Sequence, residues 1–258
     1  MFFKNDCLLP FWADKFSDYI FCGFTSAQMG NMALTRDSLN GKSTSFNKEE
    51  ILKKFKADDF SIFSPLQTHS SDFIEVLPDI ANCGRYGKEN ALEADAAVTE
   101  YTGIMLLTTW ADCIPVILYS PKNNIVAAVH SGWKGTYKQV INNVLSFFHK
   151  KGTNSKQIYA AVGPGIKKCC YQVSNDFLNY FPDSNNDFFE QREGKLFFDL
   201  SYYVYSQLIK CDIKKENIDF SSYCTCCNDN PRFSSYRREG NLFQGQAAFI
   251  GMKKKYGK

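Results

Sequence analysis

Ile104-Met105-Leu106-Leu107-Thr108, Val116-Ile117-Leu118-Tyr119 and Ile125-Val126-Ala127-Ala128-Val129 follow one another with only short polar breaks between them. Their near-continuous apolar character predicts strands covered on both faces rather than half-exposed ones. A turn at Pro121-Lys122-Asn123-Asn124 parts the last two. After them, Gly135 to Lys150 is the strongest helical stretch, because Val140, Val144, Leu145 and Phe148 share one face at 3.6-residue spacing. His149 falls on its polar, solvated side. Ile158 to Val162 reads as another buried strand, ended by Gly163-Pro164-Gly165.

Upstream, residues 1 to 24, Phe60 to Leu66, Asp72 to Leu77 and Ala96 to Thr99 read as strands, with His69 at the bend between the second and third. Thr25 to Asn47 and Ala81 to Glu93 read as polar loops, the first long enough to serve as a lid or binding loop. Asn47 is expected to cap a short helix, with Glu50 three residues on as in a capping box. Downstream, helices are expected at Ser174 to Tyr180 and Leu200 to Lys210, the second capped by Asp199 or Ser201. Asp219 to Tyr223 and Gln246 to Met252 are the final strands. No fixed-period repeat and no linker rich in Pro, Gly or Ser divides the 258 residues, so one domain spanning 1–258 is expected.

Hydrophobic residues make up 44% of the chain, with 23 Phe and 14 Tyr, which suffices for a core without disulfides or disorder. Lys+Arg 30 against Asp+Glu 27 gives a net charge of +3, so charge offers no case for nucleic acid or an anionic membrane as partner. Lys253-Lys254-Lys255 reads as a solvated tail. The N-terminal stretch lacks a signal-peptide pattern, and no apolar run approaches the ~20 residues a membrane helix needs. Ten cysteines in a chain of this length then point to reduced thiols in the cytoplasm.

The chain has three histidines, and two of them stand in specific settings. His69 lies in Gln67-Thr68-His69-Ser70. His130 ends the run Ile125 to Val129 and opens Ser131-Gly132-Trp133-Lys134-Gly135-Thr136. Between them lies Cys113, in Ala111-Asp112-Cys113-Ile114-Pro115. Two imidazoles and a thiolate suit an open zinc site with a fourth position for water or substrate. The separations, 44 residues from His69 to Cys113 and 17 from Cys113 to His130, exclude a zinc finger and fit ligands converging from several strand ends. The same residues allow a Cys113–His130 nucleophilic pair, as in an amide hydrolase, or a purely structural role. Asp112 is a candidate partner for an imidazole or a general base. The Gly132-Trp133-Lys134 segment opens a helix whose backbone amides can receive phosphate. Arg237-Arg238 suits an anionic group or a structural ion pair. Cys224-Thr225-Cys226-Cys227 and Cys169-Cys170 are read as structural, since adjacent cysteines do not easily ligate one ion.

Gln67-Thr68-His69, Ala94-Asp95-Ala96, Ala111-Asp112-Cys113-Ile114-Pro115 and Val129-His130-Ser131-Gly132-Trp133-Lys134-Gly135-Thr136 occur in a family order. Gly163-Pro164-Gly165-Ile166, Cys170-Tyr171-Gln172-Val173, Cys224-Thr225 and Phe233-Ser234-Ser235-Tyr236-Arg237-Arg238 continue it. Over roughly residues 20 to 252 the chain resembles the laccase-domain family, also called multicopper polyphenol oxidase-type proteins or peptidoglycan editing factors. The resemblance implies an α+β fold, a single domain of mixed β-sheets flanked by helices. It implies zinc held by His69, Cys113 and His130. It further implies phosphorolysis of purine nucleosides (adenosine, inosine, guanosine, methylthioadenosine) to base and ribose 1-phosphate, with adenosine deaminase activity. Asp112, Cys113 and His130 are the catalytic candidates. Gln67, Gly132, Trp133, Lys134 and Arg237 are the substrate-binding candidates. Lys134 stands where the family usually has Arg, Gln172 where it has Glu, Gln246 where it has Arg, and Gly23-Phe24-Thr25 lacks a following Arg, so the phosphate side is altered. Copper chemistry on phenols is the alternative in the family's older name; three histidines cannot furnish a multicopper cluster. A metal-stabilised binding module in cell-wall precursor quality control is the non-catalytic alternative.

Overall fold

The computed structural model describes residues 1–4, 6–33, 41–85, 90–181, 187–227 and 232–254, with backbone alone for 41–46. The strands in chain order are β1 (Phe2–Lys4), β2 (Cys7–Leu9), β3 (Ile20–Thr25), β4 (Ser61–Phe63), β5 (Phe73–Glu75), β6 (Ala96–Thr99) and β7 (Ile104–Trp110). They continue with β8 (Ile114–Ser120), β9 (Ile125–Ser131), β10 (Tyr159–Val162), β11 (Gln172–Val173), β12 (Phe189–Arg192), β13 (Lys195–Phe198), β14 (Ile218–Phe220) and β15 (Gln246–Met252). The helices are α1 (Gly41–Lys54), α2 (Trp133–Tyr137), α3 (Val140–Lys150), α4 (Leu200–Lys210) and α5 (Tyr236–Glu239).

Two six-stranded sheets dominate, in the orders β1-β2-β3-β15-β7-β4 and β14-β10-β8-β9-β6-β5. Both are mixed: β4 runs parallel to β7, β5 to β6 and β10 to β14, and the remaining pairs are antiparallel. The second sheet shows why its strands are apolar throughout. Side chains on a strand alternate between faces. Val126 and Ala128 of β9, with Ile117 and Tyr119 of β8, enter the core shared with the first sheet. Ile125, Ala127 and Val129, with Val116 and Leu118, enter a second core under α3 and α4. Both faces are dry, as expected for runs without polar alternation.

Most strands lie where the sequence places them, and Asp199 caps α4 by accepting from the Tyr202 N–H at 2.9 Å. Several expectations differ. The helix expected at Ser174 to Tyr180 is a short 3-10 turn, Asn175–Asn179. The stretch from Gly135 to Lys150 is not one helix: α2 and α3 are parted at Gln139, whose φ is +65°. The polar run Lys138-Gln139 has no apolar side chain to keep it on the sheet, and at the break the Thr136 carbonyl accepts from the Gln139 N–H and from Gln207 Nε2, each at 3.1 Å. The polar segment after Thr25 contains the start of α1, so Asn47 lies inside that helix. Its side chain donates to the Asn31 carbonyl oxygen at 3.0 Å instead of capping; residues 34–40 of the expected loop lie outside the described residues. A small sheet, β11-β13-β12, was not foreseen. Lys253 and Lys254 are not a free tail, since Lys253 Nζ donates to the Ser17 carbonyl oxygen at 2.6 Å and Lys254 pairs with Asp59 at 2.7 Å. Lys255 lies outside the described residues. His149, exposed as expected, also contacts Ser155 Oγ at 2.8 Å. Among the described residues no helix is long and apolar enough to cross a membrane.

Lys48 on α1 is fully buried, and its Nζ donates to the Gly84 carbonyl oxygen at 3.0 Å. Burial pushes its ammonium down to about 7. Between that pH and the ordinary lysine value the unfolded chain binds the extra proton, so stability rises with pH across this window, and below about 7 the full cost of burying the charge stands. Lys48→Met is therefore expected to raise the Tm at pH 7, with the gain shrinking as the pH approaches 10.5, where the unfolded lysine is neutral as well. Thermal melts of both proteins across that range test this; a gain independent of pH would refute the assignment.

Candidate metal centre and cavity

The chain passes from one large sheet to the other between β4 and β5 and again between β7 and β8. His69 sits on the first crossing and Asp112-Cys113 on the second. His130 is the penultimate residue of β9, paired with Pro115 of β8. The crossings turn sharply, with His69 at φ +59° and Asp112 at φ +83°, left-handed conformations uncommon for side-chain-bearing residues. The result is that the ligand atoms of His69, Cys113 and His130 lie within 4.8 Å of one another, Cys113 Sγ standing 3.8 Å from His69 Nε2.

Asp95, just before β6, organises this convergence. It has no solvent exposure. Its carboxylate accepts from the backbone N–H groups of Thr68 (3.2 Å), His69 (3.0 Å) and Ser70 (2.6 Å) and from Ser70 Oγ (2.8 Å). It also pairs with His130 Nδ1 at 2.8 Å, which leaves Nε2 of that ring to face Cys113. A carboxylate behind a histidine ligand fixes its tautomer and orientation. Burial opposes the Asp95 charge, yet His130 and the donors from Ser70 hold its carboxyl below the ordinary value. Burial likewise opposes the Cys113 thiolate, but the facing imidazoles, His130 foremost, bring its thiol down to about 6. His130 is correspondingly pushed up, against its burial, by Cys113 and Asp95.

Gly132 is required here for space. A Cβ at this position would lie 2.8 Å from His69 Cδ2 and 3.0 Å from Cys113 Sγ. The donor set, its mutual distances and the carboxylate behind His130 fit one metal ion with an open side. That side faces a cavity of about 620 Å³ whose wall includes Trp110, Trp133, Tyr171, Tyr236 and Phe243. Arg237 is the one cation on that wall among the described residues. Its Nη1 donates to the Gln172 carbonyl oxygen at 3.2 Å, and its guanidinium lies 5.4 Å from the Tyr171 ring centre.

The remaining sequence candidates are distributed unevenly. Asp112 lines the cavity but is not the imidazole partner; its two oxygens accept from Thr225 Oγ1 and the Arg237 N–H, each at 2.6 Å. Gln67 also lines the cavity, with its amide spent on Thr109: Nε2 donates to the carbonyl oxygen at 2.6 Å and Oε1 accepts from the N–H at 2.7 Å. Trp133 packs on Phe177 and Tyr180 and lines the cavity. Lys134 is exposed, with Nζ 5.6 Å from the Trp133 ring, and does not line the cavity. The helix expected to receive phosphate is α2, only five residues long, so its dipole is small. Gln246, buried in β15, donates from Nε2 to the Trp110 carbonyl oxygen at 3.0 Å. Arg238 serves structure, donating to the carbonyl oxygens of Thr225 and Phe233, each at 2.7 Å. Asp95 had a visible signal, a lone carboxylate set between alanines at the head of an apolar strand, which can be buried only with partners.

The family model described as multi-copper polyphenol oxidoreductase laccase matches residues 24–253. A purine nucleoside phosphorylase of Clostridium acetobutylicum is 29% identical over 251 residues, covering 94% of each chain. The purine nucleoside phosphorylase YlmD of Bacillus subtilis is 31% identical, over 80% of this chain and 76% of its own. An adenosine deaminase from an unknown prokaryotic organism is 30% identical over 70% of this chain and 72% of its own. Among solved structures, the hypothetical protein YfiH of Bacillus licheniformis superposes with a TM-score of 0.87 at 25% identity, over 97% of this chain and 98% of its own. With a metal-fitting His-Cys-His triad at a sheet crossing and a family match across nearly its whole length, this chain belongs to the multi-copper polyphenol oxidoreductase laccase family.

Proposed function

We propose that this protein, acting as one domain over residues 1–258, is a cytoplasmic zinc-dependent purine nucleoside phosphorylase. It cleaves adenosine, inosine, guanosine or methylthioadenosine with phosphate to base and ribose 1-phosphate. The observation that carries this reading is the His69-Cys113-His130 triad opening onto an aromatic-walled cavity of nucleoside size with Arg237 on its wall. The names of the relatives support the reaction class.

The two imidazoles and the thiolate would hold zinc, with Asp95 fixing His130. When bound, zinc supplies Lewis acidity. The aromatic side chains of Trp133, Tyr171, Tyr236 and Phe243 take the faces of the purine, which stacks on aromatic rings. Arg237 takes phosphate, its planar fork suiting two oxygens at once. Asp112, held by Thr225 and the Arg237 backbone, passes to the departing base the proton that the attacking hydrogen phosphate gives up. Gln67 and Gly132 shape the site: the first pins the 64–70 crossing to β7, and the second keeps the space beside His69 and Cys113 clear. Deamination of adenosine in the same cavity is the second reading, favoured by the adenosine deaminase among the relatives.

The test is phosphate-dependent base release by the metal-loaded chain. Cys113→Ala and metal removal are each expected to lower it at least about 100-fold, as the loss of several kcal/mol of transition-state stabilisation requires, with zinc restoring the wild type alone. Undiminished release by a metal-free chain overturns the reading; ammonia release without phosphate dependence selects the deaminase. In the same assay Arg237→Ala is expected to raise the KM for phosphate about 10- to 100-fold, the scale of a lost charge-assisted hydrogen bond, with little change in the KM for nucleoside. Gly132→Ala is expected to weaken zinc binding about 10-fold or more, the effect of displacing supporting structure around a ligand, while circular dichroism shows the fold retained.

A further inference from the structure

Away from the cavity, two cysteine pairs that are 54 residues apart in the chain meet. Cys169 and Cys170 lie in a tight turn where the N–H groups of Cys170 and Tyr171 both donate to the Lys167 carbonyl oxygen at 2.9 Å. Cys224 and Cys227 lie on the segment after β14, tied to the first by a bridge between Gly165 and Cys224. The four sulfurs lie within 4.8 Å of one another, with Cys227 Sγ 3.4 Å from Cys169 Sγ and 3.6 Å from Cys170 Sγ. The adjacency that spoke against metal ligation in the sequence is no obstacle here: the turn brings Cys169 and Cys170 together with Cys224 and Cys227.

We propose that Cys169, Cys170, Cys224 and Cys227 form a second metal site, a structural tetrathiolate centre for a single zinc ion. Sulfurs at ~2.3 Å from one tetrahedral ion stand about 3.8 Å from each other; here two of the separations are 3.4 and 3.6 Å and all lie within 4.8 Å, so small shifts bring the four sulfurs to that spacing. The separations exceed a disulfide bond, and the thiolates around an iron–sulfur cluster would stand wider apart. The surroundings suit a centre of net negative charge. Arg192 Nη2 donates to the carbonyl oxygens of Lys168 (2.7 Å) and Cys169 (3.3 Å), and Arg238 Nη1 to those of Thr225 (2.7 Å) and Cys227 (3.4 Å), so a guanidinium flanks each ligand pair. Cys226 is not among the four.

The site staples two cavity-wall segments. Cys170 precedes Tyr171, which lines the cavity, and Cys224 precedes Thr225, which holds Asp112. Zinc here acts on the wall and not on the reacting atoms.

The experiment uses the full chain carrying Cys113→Ala, which disables the His-Cys-His triad and separates this site from the first. Purified under reducing conditions, it is expected to retain about one zinc per chain. Cobalt loading should give the intense thiolate-to-metal absorption of a tetrathiolate ion. Adding Cys226→Ser should leave both unchanged, and adding Cys224→Ser or Cys169→Ser should abolish them. A folded Cys113→Ala chain without bound metal, or metal retained in folded Cys224→Ser and Cys169→Ser chains, overturns the proposal. So does a disulfide joining Cys227 to Cys169 or Cys170, found by mass spectrometry of chain purified without oxygen. Because none of these readouts is activity, the outcome is independent of the phosphorylase reading.

Discussion

A buried carboxylate holds this site together. Asp95 brings a charge into the interior, which is costly unless hydrogen bonds replace lost water. Five donors do so, and their origin matters more than their number: three backbone N–H groups and a hydroxyl from the 68–70 crossing, and an imidazole from the end of β9. A single side chain thus joins the head of β6, the loop that carries His69 and the strand that carries His130. The left-handed backbone at His69 is the local strain these bonds sustain.

The second constraint is topological. The two crossings that carry His69 and Cys113 meet at the site, which follows because β4 and β7 belong to one sheet while β5 and β8 belong to the other. Cys113 and Asp112 occupy adjacent positions on one crossing with different tasks. The thiol faces the imidazoles. The carboxylate is tied to Thr225 and to the first turn of α5, which carries Arg237. The cavity wall on that side is therefore assembled from segments distant in the chain, held by polar contacts and, behind them, by the gathered cysteines.

Much of this was legible in the sequence, for identifiable reasons. Strands apolar on both faces announce themselves without periodicity, and β8 and β9 lie where their runs do. His69, Cys113 and His130 stood out because histidine is rare here and each sits at the edge of an apolar segment. What escaped was decided by tertiary contact. The break at Gln139 follows from how α3 must lie on the sheet, not from any helix breaker. The strands β12 and β13 carry Glu190, Arg192 and Lys195 on short, partly solvated segments with no strong alternation. Lys134 read as a phosphate ligand because of its place in a motif, but the side chain leaves the cavity. Asp95 has no role legible in its sequence pattern, because its partners become neighbours only in three dimensions.

The position of β15 carries a consequence for biosynthesis. This strand, the last of those described, lies between β3 and β7, which do not pair with each other. As the ribosome works through the chain, the amino-terminal strands and the β7 region each wait with an open edge until residues 246–252 emerge. Unpaired edges are where other chains add on. The first sheet is thus completed by its latest member, and the interval before that insertion is when a nascent copy is most exposed to its neighbours and most dependent on whatever shields it.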